Sequence, residues 1–320
     1  AAAAAAAAAV VDAPASGLCP PPPPPPPPPS LLPTTTTPPW RTQCAVLCAR
    51  SCRAQWRNTR YLWARCGSIV LIAVLFGGLY YHVDMSYAGG LQSALASQFV
   101  AFVFVSMVFF SAVVPTLAEQ RAAVFRERRA GAYSPEAYVL TTLAAELPVA
   151  AAGAALFGAI FVAMVAISTT PAAYITTIVF LVLYTWVSVA LALVFVSAAP
   201  TAYAAAAAGY ATQAVFFVFG GLLLRLPVMA SGWHFLYYLD PLSYAVAPVW
   251  STLLYCVDLP CPTFYISPLP LPWTRWNFVR DFLGLDYDAR WNNAGYLVVF
   301  LVGYTAAAML ASRFLTTVRR

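Results

Sequence analysis

A chain of 320 residues that is 62% hydrophobic and 9% charged, with a mean hydropathy of +0.75, cannot cover itself with a water-facing surface, because soluble domains carry about 25% charged residues. The net charge of +6 rests on arginine alone, since the sequence holds no lysine; a Walker-type phosphate loop needs its lysine to reach the β- and γ-phosphates and is excluded within these residues. The composition points to an all-α polytopic membrane protein, and any ATP it uses must be bound by another chain or segment. Residue 1 is alanine, so a fragment or a processed chain is expected. Seven cysteines and two histidines, His82 and His234, show no zinc-ligand spacing, and no metal centre is expected.

Residues 1–39 are low in complexity: an alanine run, unbroken proline from Pro20 to Pro29, then Thr34 to Thr37. Ten prolines at about 3.1 Å each make a stiff polyproline spacer of roughly 30 Å. A disordered Ala/Pro/Thr-rich linker is expected, with an SH3-type ligand as the sharper alternative. No basic segment precedes the alanines, which argues against a signal peptide. Residues 41–65 carry six arginines interleaved with Trp40, Leu47, Trp56, Tyr61 and Trp63. With a span starting at once, this pattern predicts a helix at the cytosolic membrane interface rather than a nucleic-acid site. Cys44, Cys48 and Cys52 share one face of it, as reduced thiols or as S-palmitoylation sites.

Hydropathy then places six spans, at about residues 66–81, 95–115, 138–167, 173–196, 204–224 and 294–314. The second is rich in phenylalanine, including Phe109 and Phe110; such a stripe means helix or lipid contact, or the lining of an apolar path. Between the second and third spans lies a charged hairpin, from Leu117 to Glu136. It must sit in water, where a soluble partner can grip it. Ser134 and Pro135 predict the start of the next helix, as N-cap and first helical residue. Glu146, followed by Leu147 and Pro148, should face protein or water rather than lipid. Residues 225–291 hold eight prolines among several tryptophans and tyrosines. They read as an ordered cap on the membrane surface, with a re-entrant helix around Tyr244 to Leu254.

Thirteen of the seventeen arginines fall in residues 41–65, in the charged hairpin or from Arg313 onward. The positive-inside rule therefore puts both termini in the cytosol and the cap outside. On that side Cys256 and Cys261 are candidates for a disulfide, with free thiols or an intermolecular bridge as alternatives.

Three stretches resemble the transmembrane domain of the G subfamily of ATP-binding cassette transporters, most of all the second membrane half of pleiotropic-drug-resistance transporters. They are Arg126 to Ser134 with Glu146-Leu147-Pro148, then Phe219 to Leu223, then Trp233 with Tyr237 to Tyr244. The similarity covers residues 40–320. It implies an exporter of an apolar or amphipathic small molecule, residing in a membrane such as the plasma membrane. ATP and Mg would be handled by a nucleotide-binding domain, in cis upstream or in trans. It implies a second membrane half or a homodimeric copy. Arg126, Glu127, Arg128, Gly131, Tyr133 and Ser134 would form the coupling hairpin, and Glu127 and Arg128 would touch the motor or the connecting helix at residues 41–65. Phe109 and Phe110 would be cavity candidates, with Leu222 and Leu223 as the apolar valve above it. No catalytic site is expected in this chain. The competing readings are an intramembrane enzyme, for which Glu146 lacks a partner in sequence, and a motor-free scaffold or degenerate fragment without transport.

Overall fold

The computed structural model describes residues 38–85, 87–166, 171–224, 229–255, 263–264, 273–274 and 283–314. All but the last two residues of the expected linker, and both Cys256 and Cys261, lie outside them. The helices are α1 (Trp40–Arg57), α2 (Thr59–Leu79), α3 (Ala88–Arg129), α4 (Pro135–Val165), α5 (Pro171–Ala198), α6 (Ala202–Phe219), α7 (His234–Leu239), α8 (Pro241–Leu254) and α9 (Arg290–Phe314). Helices α2 to α6 and α9 are long and apolar enough to cross a membrane. The fold is all-α and the protein is integral to a membrane. Within the segment read as a cap, a two-residue antiparallel ladder pairs Thr263 with Thr274 and Phe264 with Trp273.

Helix α5 is the hub, with α3, α4, α8 and α9 packed around it. From Pro171 to Ala198 it carries no charged residue, and a helix apolar all round suits a central position or a lipid-facing one alike. Phenylalanines fill the contacts, and Phe99, Phe102, Phe157, Phe161 and Phe180 are fully buried. The phenylalanine stripe of α3 thus serves mainly as helix contact, with Phe104 as its exposed member. Two indoles tie the layers by donating to carbonyls, Trp186 to Leu147 at 3.0 Å and Trp250 to Leu95 at 3.1 Å.

Three helix boundaries depart from the hydropathy reading. The basic stretch 41–65 is two helices, broken at Asn58, whose side chain accepts from the Tyr61 amide at 3.3 Å. Helix α3 does not stop at Pro115 but continues 14 residues to Arg129. Most of the charged hairpin is therefore helix rather than loop. Helix α6 ends at Phe219, five residues short of the expected Leu224, where Gly220 and Gly221 break it. Gly221 has φ of 90°, a conformation that disfavours side-chain-bearing residues. The helix expected near Tyr244 is α8, which starts at Pro241 because the Asp240 carboxylate accepts from the Leu242 amide at 2.8 Å.

Candidate functional site

The hairpin is built by the end of α3, a turn at residues 130–134 and the start of α4. Gly131 makes the reversal, with φ of 72°. Ser134 is extended, its hydroxyl accepts from the Ala137 amide at 3.2 Å, and Pro135 follows as the first helical residue, as the Ser-Pro pair predicts. One turn before the reversal, Glu127 accepts from two groups: the Arg50 guanidinium of α1 at 2.8 Å and the Tyr133 hydroxyl at 2.8 Å. The hydrogen bond from Arg50 holds the Glu127 carboxyl below the usual carboxylate range, with Tyr133 acting in the same direction. Arg50 is raised in return, by the same bond to Glu127.

A second clamp lies at the other side of the turn. The Ser134 amide donates to the Gln43 side chain at 2.9 Å, and that side chain donates in turn to the Pro38 carbonyl at 2.7 Å. Leu47 of α1 packs with Val124, Tyr133 and Ala137 in a small cluster of its own, which Cys44 and Tyr138 border. The hairpin also reaches the rest of the bundle. Arg128 donates to the Ser312 carbonyl near the end of α9 at 2.8 Å. Arg121 donates to the carbonyls of Ala199 and Pro200 at 2.8 and 2.9 Å, and to that of Val196. Arg121 thereby satisfies carbonyls that the end of α5 leaves without a helical partner.

Between α1 and the bundle lies a cavity of about 270 Å³. Arg50 and Tyr133 border it at the hairpin; Gln55, Tyr61 and Glu146 border it toward the spans. Glu146 is 3% exposed. It accepts from Arg65 at 2.9 Å and from the Gln55 amide group. Arg65 donates also to the Tyr61 hydroxyl at 2.7 Å and lies 4.2 Å from the centre of the Phe109 ring. The carboxylate expected to avoid lipid is thus enclosed in protein, opposite an arginine from the first span.

The structure brings together Glu127, Tyr133 and Ser134, with Arg128 on the far flank and Gly131 at the apex. Arg126 is exposed and has no ion-pair partner among the described residues. Phe109 and Phe110 are fully buried within this chain, Phe109 beneath Arg65 and Phe110 against Phe195 and Tyr210. Leu222 and Leu223 sit at the opposite end of α6, Leu222 half-buried and Leu223 52% exposed. Sequence reasoning did not single out Arg50, Arg65, Gln43 and Gln55 within the basic stretch. For Arg65 a signal exists: it abuts an apolar run, where a charge needs a partner.

Known proteins share this arrangement of sequence. A family profile described as ABC-2 type transporter matches residues 42–254. ABC transporter G family member 36 of Oryza sativa subsp. indica is 25% identical over 207 residues, which cover 64% of this chain and 14% of that protein. Pleiotropic drug resistance protein 1 of Petunia hybrida is 24% identical over 275 residues, 85% of this chain and 18% of the relative. ABC transporter G family member 44 of Oryza sativa subsp. japonica is 30% identical over 126 residues, 39% of this chain and 9% of the relative. The chain spans less than a fifth of the length of these curated relatives.

Proposed function

The chain belongs to the ABC-2 type transporter family, and on that premise we propose that it is one membrane half of an ATP-driven exporter for an apolar or amphipathic small molecule. A nucleotide-binding domain, covalently attached or separate, binds ATP and Mg and pushes on the hairpin at the end of α3. A second membrane half or a second copy supplies the other wall of the path. Both termini face the cytosol, the membrane is the plasma membrane, and Cys256 and Cys261 form a disulfide on the outer side.

The observation that carries this reading is the double attachment of the hairpin to α1, through Glu127 to Arg50 and through Ser134 to Gln43. A loop that only enforced topology would need neither. Because α3 is one helix from Ala88 to Arg129, a displacement at Glu127 is transmitted along about 60 Å of continuous helix at 1.5 Å per residue. Alternating access follows when the paired halves shift between two packed states. Leu222 and Leu223 then close the outer end, and Phe109 and Phe110 stiffen the cavity wall from behind.

The test is Glu127→Ala in the full transporter. Substrate transport and substrate-stimulated ATPase activity should both fall by about tenfold or more, the scale of a coupling energy of about 1.4 kcal/mol. Surface expression should persist. Unchanged transport would remove the coupling role.

A further inference from the structure

A groove of about 890 Å³ runs beside the hairpin end of α3 and the start of α6. Its apolar lining includes Pro115, Ala118 and Phe125. Its charges are Arg121, Arg126 and Arg129, against the single acid Glu119 among the described lining residues. Arg121 is occupied, because it holds the carbonyls at the end of α5 and so fixes the α5–α6 turn as one wall. Arg126 and Arg129 are different. They stand three residues apart on one helical face, both are exposed, and neither has an ion-pair partner among the described residues. Tyr203, 89% exposed, contributes to the same lining from the first turn of α6.

The exposed face of α3 continues away from this groove through Ser111 to Phe104, and that of α6 through Ala207 to Tyr210 and Val218. An apolar strip thus ends at two unpaired guanidinium groups. We infer that the groove receives the acidic head of an amphipathic organic anion, a carboxylate or sulfonate on an apolar body, as it enters the transport path. This rests on the exporter reading above. Two planar guanidinium forks match a carboxylate geometrically as well as in sign. The same pair repels an amphipathic cation, and a neutral amide gains from it only ordinary hydrogen bonds.

The test uses a pair of photoreactive probes of nearly equal shape, para-benzoylbenzoate and para-benzoylbenzamide, on the full transporter in zwitterionic nanodiscs. The carboxylate should label peptides carrying residues 115–129 or 200–203, about tenfold more than the amide. Arg126→Gln with Arg129→Gln should erase that preference, and the double lysine variant, which keeps the charge but not the fork, should retain only part of it. Equal labelling by both probes, or labelling elsewhere, overturns the inference. So does suppression of labelling by phosphatidylserine but not by excess non-photoreactive para-benzylbenzoate, which would assign the groove to lipid headgroups. ATP-dependent uptake of benzoylbenzoate into inside-out vesicles is read in parallel. Preferential labelling without uptake would keep the anion site and sink the exporter reading instead.

Discussion

Arg65 and Glu146 show how one pair can hold a membrane bundle together. Both side chains are nearly fully enclosed, at 2% and 4% exposure. Removing one partner leaves a charge without compensation in an enclosed site, at a cost of about 3–5 kcal/mol, whereas replacing both by apolar groups is often neutral. Glu146→Ala should therefore abolish a sharp melting transition in detergent or shift it down markedly. Arg65→Met with Glu146→Leu should recover most of the loss. If the double variant is no better than the single one, the pair is not what holds α2 to α4. Half of this site was legible in the sequence. A lone acid inside an apolar run should face protein or water rather than lipid, and Glu146 is enclosed in protein. The identity of that partner was not legible, because Arg65 is 81 residues away and no local period relates the two positions.

At the scale of an element, the hairpin was legible by its charge but not by its shape. Hydropathy drops at Pro115, yet nothing in the next 14 residues stops a helix: alanine, glutamate, glutamine and arginine are good helix formers in water. The break at Asn58 was illegible for the converse reason, since the arginines and aromatics continue on both sides of it. The α1–hairpin link has a pH signature. Glu127 titrates below its ordinary value of 4.5, chiefly through the hydrogen bond from Arg50. A carboxylate depressed in the folded state contributes fully above its ordinary value and loses that contribution as pH falls through the folded one. Spin labels at Ala49 on α1 and Ala130 in the turn should report a narrow distance distribution from neutral pH down to about pH 5, broadening only below about pH 4. Broadening already between neutral pH and pH 5 would show that Glu127 does not hold the link.

For the whole molecule, the unresolved balance is between faces that one half can cover and faces it cannot. Helix α5 is covered by this chain over most of its length, with Ile175 and Val179 near its start exposed, whereas α6 leaves Tyr203, Tyr210, Val215 and Val218 exposed, and Leu223 stands beyond its end. Helices α2 and α9 are as exposed as α6, as contact with lipid allows, so a second wall on the α3–α6 side follows from the proposed exporter and not from exposure alone. In that setting a valve has to exclude water without holding substrate strongly, so its residues should matter for coupling more than for folding. Leu223 is half in the open already; truncating it forfeits little burial, since a fully buried methylene is worth about 0.8 kcal/mol. Leu222→Ala with Leu223→Ala should leave the melting temperature within a few degrees of the parent while substrate carried per ATP hydrolysed falls severalfold. Melting and ATP turnover measured on one preparation decide the matter. A large loss of stability would make these leucines packing residues, and an unchanged ratio of substrate to ATP would place the seal elsewhere along the path.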